Sequence, residues 1–215
     1  PVAQRALPHM KPGAVLTDAG STKRWFAAAI RPLLPVGIRY IGGHPMAGRE
    51  KSGLAAAAPD LFRDRWYLLT PAPDTPPAEV SRLQRLVELT GAMTTVLDEN
   101  DHDRITAVIS HVPHLAAAAL VHLLKKERSP AETARFIGGG FRDTTRIASS
   151  DADMWADICM TNAANIAACL DELAGVLNEA ARLVRAGDRN GIHAYFSAAK
   201  NLRNSLLLQE HERPK

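Results

Sequence analysis

Short apolar runs separated by amphipathic stretches fill the first half of the chain. Residues 14–17, 37–41, 66–70 and 92–97 are rich in Val, Ile, Leu, Trp and Tyr and are bounded by glycine, proline or aspartate. That pattern predicts buried strands. Residues 1–11 read as the end of a helix closed by Lys11-Pro12-Gly13. A second helix opens near Ser21, with Asp18 or Ser21 as its cap, and ends at Pro32 and Pro35. A short helix is expected over residues 54–62, and an amphipathic one over 78–89 with Thr75 as N-cap and Gly91 as stop. Strands alternating with helices predict a parallel α/β sheet.

From Glu99 onward the strand signal disappears and the chain reads as all-α. Ile105, Val108, Ile109, Val112, Ala116, Leu120 and Leu123 keep a helical period through Pro113. This predicts one long helix, kinked because the proline ring excludes the hydrogen bond to Ile109. His111 and His114 fall opposite that apolar stripe, flanked by Ala107 and Ala118, where small neighbours leave room for a ligand. Solvent-facing or core-bound histidines fit the same pattern. Over residues 154–186, Cys159, Ile166, Leu170, Leu173, Leu177 and Val184 keep three-four spacing. A helix of about 30 residues, roughly 45 Å long, is predicted. So long a helix in a small domain packs along a partner, so a dimer is expected. Gly187-Asp188 breaks it, a last helix carries Ile192, Phe196, Ala199, Leu202 and Leu206, and the tail from Gln209 is expected to fray. The expected architecture is α/β over residues 1–98, followed by an all-helical domain over 99–215.

Composition narrows the class only slightly. The 215 residues are 46% hydrophobic and 23% charged, an ordinary globular balance. The net charge of +3 is spread along the chain, so nucleic acid is not indicated and small anionic substrates suit it equally well. No unbroken apolar run reaches membrane-spanning length, so no membrane segment is predicted. The two cysteines, Cys159 and Cys169, lie too far apart on one helix to bridge, which fits a reducing cytoplasm. The chain opens with neither an initiator methionine nor a signal peptide, and a Gly-x-Gly-x-x-Gly turn occurs nowhere. A Rossmann domain would therefore have its first βα units upstream of Pro1.

Candidate chemistry gathers at the ends of the expected strands, where ligands of open α/β sheets bind. Asp18, Ser21 and His44 all fall there, and Ser21 lies at a helix start whose free N–H groups favour an anion. His44 follows two glycines that let backbone approach a ligand, and imidazole exchanges a proton near neutrality. An exposed loop with an incidental histidine would look alike. Farther on, Gly138-Gly139-Gly140 precedes Arg142 and Arg146, forked carboxylate binders, in what is otherwise a flexible loop. His102, Asp103, His111 and His114 also allow a metal-dependent phosphohydrolase. A non-catalytic dimerising module is the third reading.

Four stretches together carry a resemblance: Thr17-Asp-Ala-Gly-Ser-Thr-Lys23, Gly42-Gly-His-Pro-Met-Ala-Gly48 with Glu50-Lys-Ser-Gly53, Ser110-His-Val-Pro-His114, and Gly138-Gly-Gly-Phe-Arg-Asp-Thr-Thr-Arg146 through Asp153-Met-Trp155. In order and spacing the chain resembles the prephenate/arogenate dehydrogenases of tyrosine biosynthesis. That resemblance implies an NAD- or NADP-binding Rossmann domain, a helical dimerisation domain, and oxidative decarboxylation of prephenate or arogenate by a homodimer. It further implies that His44 accepts the hydroxyl proton and that Ser21 bonds the same hydroxyl and orders the nicotinamide. Asp18 and Gly20 join Ser21 at the cofactor. Arg146 clamps a carboxylate, His111, His114 and Gly140 line the pocket, Glu50 shapes it, and no metal is involved. Two departures stand out: the glycine-rich cofactor turn is absent, so the chain alone is expected to bind NAD(P) poorly, and Arg49 replaces a small hydroxyl residue.

Overall fold

Gly42 and Gly43, in the middle of a strand, set how tightly the sheet packs. The computed structural model describes residues 2–48, 53 and 57–211, with side chains to 208. A short helix α1 (Val2–Ala6) leads into β1 (Val15–Thr17), α2 (Arg24–Ile30), β2 (Arg39–Pro45), β3 (Trp66–Pro71), α3 (Pro77–Glu88) and β4 (Met93–Val96). The strands lie in the order β1-β2-β3-β4. A Cβ on Gly42 would sit 2.5 Å from Thr70 Oγ1, and one on Gly43 would sit 2.5 Å from the Asp18 carbonyl and 2.9 Å from Tyr67. The close approach expected here for a ligand is thus made by the protein itself, and the glycines lie within β2 rather than in a turn.

The sheet is mixed, which corrects the expectation of parallel strands. β1 and β2 are parallel, as are β3 and β4, but β2 and β3 pair antiparallel, with His44 opposite Leu68. The link from β2 to β3 starts and finishes at one end of the sheet, where Met46 N–H donates to the Trp66 carbonyl at 2.7 Å. No crossover carries the chain back, and without one a parallel pair cannot form. Of the helix expected over 54–62, residues 57–62 are irregular or turn, and 54–56 lie outside the described residues. Ile41, Leu69, Leu83, Val87 and Ala92 form a core between the sheet and α3. Ala27, Ile30 and Tyr40 form a second one beneath α2. Gly91, at φ 82°, ends the α3 segment as expected, but Pro76, with no side-chain bond, takes the cap position expected of Thr75.

Beyond β4, all regular structure among the described residues is helical: α4 (Glu99–Thr106), α5 (Val112–Leu124), α6 (Pro130–Ala134), α7 (Gly139–Thr145), α8 (Ala152–Thr161), α9 (Ala163–Arg185) and α10 (Arg189–His211). Between α4 and α5 the chain makes a π turn over Ala107–His111, in which Val112 N–H reaches the Ala107 carbonyl. This wider turn accommodates Pro113, whose missing donor was expected to produce a kink. By length and composition Glu99–Leu124 would also suffice to cross a membrane. Its polar face, however, is the buried one: His102, Asp103, Thr106 and His111 are at most 1% exposed, while Val108 and Ile109 are 54% and 59% exposed.

The single helix expected over residues 154–186 is two helices. Asn162 leaves helical geometry (φ −123°, ψ 30°), and its amide donates to the Asp103 carbonyl at 2.7 Å and lies 3.2 Å from His111 Nδ1. These distant partners outweigh the continuous periodicity. Residues up to Ala167 form one compact unit and those from Ala168 a second. In the second, Gly187 takes a positive φ of 62° at the expected break, Asp188 receives Gly191 N–H at 2.9 Å, and Val176, Leu177, Val184, Phe196, Leu202 and Leu206 stand exposed.

Adding a methyl group at Gly43 forces backbone apart. Gly43→Ala is expected to lower the unfolding free energy by about 1–3 kcal/mol, the cost of overpacking, as read from urea denaturation.

Candidate active site

The end of β1 and the strand β2 are locked together by a buried ion pair. Lys23, fully buried, places Nζ 2.5 Å from Asp18 Oδ2 and 2.5 Å from the carbonyl of Gly43, the residue before His44. Asp18 also accepts from Gly20 N–H at 2.9 Å, Tyr40 O–H at 2.8 Å and Gly43 N–H at 3.1 Å. Burial pulls the Lys23 pKa below that of an ordinary lysine, with Asp18 acting against it. Asp18 therefore serves the protein's own backbone. Neither it nor Gly20 lines the cavity beside His44.

The helix after this loop starts at Arg24, later than expected, and its N-terminus already holds an anion. Asp103, from α4, accepts Lys23 N–H at 2.8 Å and Arg24 N–H at 3.0 Å. Neither Asp18 nor Ser21 caps the helix. The anion site expected near Ser21 is thus filled by a carboxylate eighty residues away in sequence. The same Asp103 Oδ1 lies 2.8 Å from His102 Nδ1, and His102 Nε2 lies 2.8 Å from His44 Nδ1. Asp103, His102 and His44 form a continuous buried chain that leaves His44 Nε2 as the ring nitrogen available to a ligand.

A cavity of about 460 Å³ opens beside His44 at the C-terminal ends of β1 and β2. Ser21, His44, His111, His114, Arg146 and Trp155 are among its lining residues. Five of the residues singled out from sequence thus meet in one place. Gly140, in the first turn of α7, is not part of the lining, because Gly138–Gly140 opens a helix instead of forming a loop at the cavity. Glu50 and Arg49 lie outside the described residues. His114 stacks on Trp155 with ring centroids 3.9 Å apart, and its Nδ1 donates to the Ser110 carbonyl at 2.9 Å. His111 meets Trp155 edge-on at 6.0 Å. The buried His111 Nε2 and Trp155 Nε1 have no hydrogen-bond partner within the protein. Since Asn162 Nδ2 donates toward His111 Nδ1, the ring proton of neutral His111 sits on Nε2. Two unpaired N–H donors in one cavity suit an oxygen-rich ligand, because burying them unpaired is costly.

Burial, followed by the nearby His102, Lys23 and His111, lowers the pKa of His44 from 6.5 to about 3, with Asp18 opposing. Burial likewise brings His111 to about 4. Burial pushes the Asp103 carboxyl up, but the His102 imidazole and the Lys23 and Arg24 N–H groups outweigh it and hold the group below its ordinary value. His102, Asp103, Asn162, Lys23 and Trp155 were missed as parts of this site. His102 and Asp103 had entered only as metal ligands, yet both nitrogens of His102 are hydrogen-bonded. Among the described residues no group of three or more metal-binding side chains converges.

An imidazole, an arginine and unpaired donors meet around a cavity at the strand ends of an α/β sheet that a helical segment follows. Two family models match: "Prephenate dehydrogenase, nucleotide-binding domain" over residues 1–96 and "Prephenate dehydrogenase, dimerization domain" over 98–198. Prephenate dehydrogenase of Bacillus subtilis is 40% identical over 91% of this chain and 53% of its own length. Cyclohexadienyl dehydrogenase of Zymomonas mobilis is 30% identical over 99% of this chain and 73% of its own. A crystal structure of prephenate dehydrogenase from A. aeolicus, in complex with hydroxyphenyl propionate and NAD+, superposes with a TM-score of 0.87 at 30% identity, covering 95% of this chain and 71% of that one. The chain belongs to the prephenate dehydrogenase family. It spans about half the length of the Bacillus relative.

The two lowered histidines make the fold acid-sensitive. Unfolded histidine binds a proton below about pH 6.5, whereas His44 and His111 stay neutral in the fold down to about 3 and 4. The unfolded chain then holds more protons, so stability falls as pH drops through this window. The unfolding free energy from urea titrations is expected to decline between pH 6.5 and 4 by up to about 1.4 kcal/mol per pH unit for each histidine. His44→Asn should remove one share of that slope.

Proposed function

We propose that the full-length protein carries out the NAD(P)-dependent oxidative decarboxylation of prephenate to 4-hydroxyphenylpyruvate, or of arogenate to tyrosine. The observation that carries this reading is one cavity uniting His44, Ser21, His111, His114 and Arg146. Oxidising a carbinol requires its hydroxyl proton to leave, and a neutral imidazole within hydrogen-bond reach accepts it. His44 is that group. Ser21 lies across the same cavity and bonds the reacting hydroxyl. Arg146 supplies a forked cation for a substrate carboxylate. The His111 and Trp155 N–H groups bond the remaining oxygens, and the His114–Trp155 stack forms an apolar wall for the ring. A bound dicarboxylate brings negative charge close to His44 and raises its proton affinity toward neutrality.

When bound, the nicotinamide cofactor supplies the two-electron acceptor. Ala19 and Ser21, which line the cavity directly after β1, fit its ring end. Asp18 and Gly20 support it indirectly by fixing that loop, and the pyrophosphate would need a cradle that the described residues do not provide. Loss of the ring carboxylate as CO2 aromatises the product, so the protein's part is to position, orient, and take one proton from the hydroxyl and give it back to the phenol oxygen.

The exposed apolar faces of α5, α9 and α10 support a homodimer formed by residues 99–215, with residues 1–98 as part of the nucleotide domain. The free Cys159 and Cys169 fit a cytoplasmic enzyme. A cavity equipped with a base speaks against a purely structural module, and the engaged nitrogens of His102 speak against the phosphohydrolase.

The test is reduction of NAD+ or NADP+ by the full-length protein with prephenate or arogenate. His44→Asn should lower kcat by more than about tenfold with the circular dichroism spectrum unchanged; near-normal turnover removes His44 from its role. Arg146→Gln should raise KM by about tenfold or more through loss of the bidentate clamp.

A further inference from the structure

Which nitrogen of His44 carries its proton decides whether the residue can act as a base, and the buried chain behind it dictates the answer. Asp103 receives two backbone N–H groups, from Lys23 and Arg24, which can only donate. Its carboxylate is therefore held as an acceptor, and the 2.8 Å contact to His102 Nδ1 requires the proton to be on that nitrogen. When His102 carries only that proton, its Nε2 lone pair faces His44 Nδ1 at 2.8 Å, and the His44 proton then belongs on Nδ1. The first of these steps is fixed by backbone.

We propose that His102, anchored by Asp103, is a positioning residue that keeps His44 in its Nδ1–H form, so that the lone pair of Nε2 meets the substrate. The proposal deepens the functional reading above and rests on His44 as the proton acceptor. In the step itself, the substrate O–H proton moves to His44 Nε2 while the ring carbon would give its hydride to the bound nicotinamide; the O–H electron pair forms the carbonyl, and loss of the ring carboxylate as CO2 returns a pair to that oxygen, which takes the proton back from His44 as the phenol. The imidazolium so formed keeps Nδ1–H donated to His102 Nε2, so no proton has to travel along the chain. Without His102, His44 is free to place its proton on Nε2, where it blocks the reacting lone pair.

His102 is placed for this and for little else. It is fully buried, bonded to His44 of β2 and Asp103 of its own helix, and close enough to His111 to act on it electrostatically. The pair lies on the inward face of α4, which docks on α2 through the Asp103 bonds. The main-chain carbonyl of Asp103 is in turn bonded by Asn162. The orientation of His102 is thus braced from three elements.

The experiment is nitrogen NMR of 15N-histidine-labelled full-length protein at pH 8, with the His44 signals assigned by their loss in His44→Asn. A protonated Nδ1 and an unprotonated Nε2 on His44 are expected. His102→Leu removes the acceptor; the Nε2–H form should appear and kcat should fall by about a hundredfold or more with KM within about threefold. His102→Gln restores an acceptor oxygen and should bring kcat to within about tenfold of the unsubstituted protein. A His44 proton found on Nε2 in the unsubstituted protein overturns the proposal, as does His102→Leu with kcat within about threefold. If His102→Leu does not fold, the spectrum of the unsubstituted protein and the Gln variant still decide. Failure of the unsubstituted protein to oxidise prephenate or arogenate refutes the functional reading instead, and the NMR result stands apart from it.

Discussion

A single buried carboxylate joins the two halves of the site. Asp103 lies on the first helix after the sheet, and its oxygens take the two N–H groups that begin α2. Through α2 it bears on the core beneath Tyr40, and through His102 on the imidazole at the cavity. An unpaired carboxylate at that depth would cost several kcal/mol. Fully bonded, it fixes the helical segment against the sheet and fixes the base at the same time. Fold and chemistry share this one anchor, so neither can be loosened alone.

A second constraint works from the other side of His44. Lys23, Asp18, Tyr40 and Gly43 are interlocked in a space that admits no side chain at positions 42 and 43. The glycines preceding the histidine are there to let polar groups reach the strand backbone from both faces. Packing holds β2 in place, and hydrogen bonding sets the angle of the ring it carries.

Much of this was legible in sequence where the signal is local. The apolar runs of β1, β2, β3 and β4, the amphipathic α3 and the break at Gly187 all follow from nearest neighbours in the chain. Ser21, His44, His111, His114 and Arg146 were found because their motifs hold unusual residue types next to glycine or proline. What escaped depends on partners far away in sequence. The direction of β3 is set by where its connection ends, which an apolar run does not encode. The break at Asn162 comes from bonds to Asp103 and His111 that helical periodicity ignores. A helical wheel separates the two faces of α4 and α5 but does not say which one meets the sheet. Here the polar face does, because Asp103 and His102 find complete partners inside and His111 is held by Asn162.

The π turn before Pro113 adds one residue to a helical turn. Thr106 and His111, five apart, thereby share the inward face. The segment acts as a phase spacer: it keeps the anchor on α4 and the cavity residues of α5 in register although the helix alone would let them drift by about 100°. Many substitutions on the outward side of this stretch leave that phase untouched, whereas a one-residue deletion would turn His114 and everything after it away from the cavity. In this family member the length of the segment is thus more tightly constrained than its outward-facing residues.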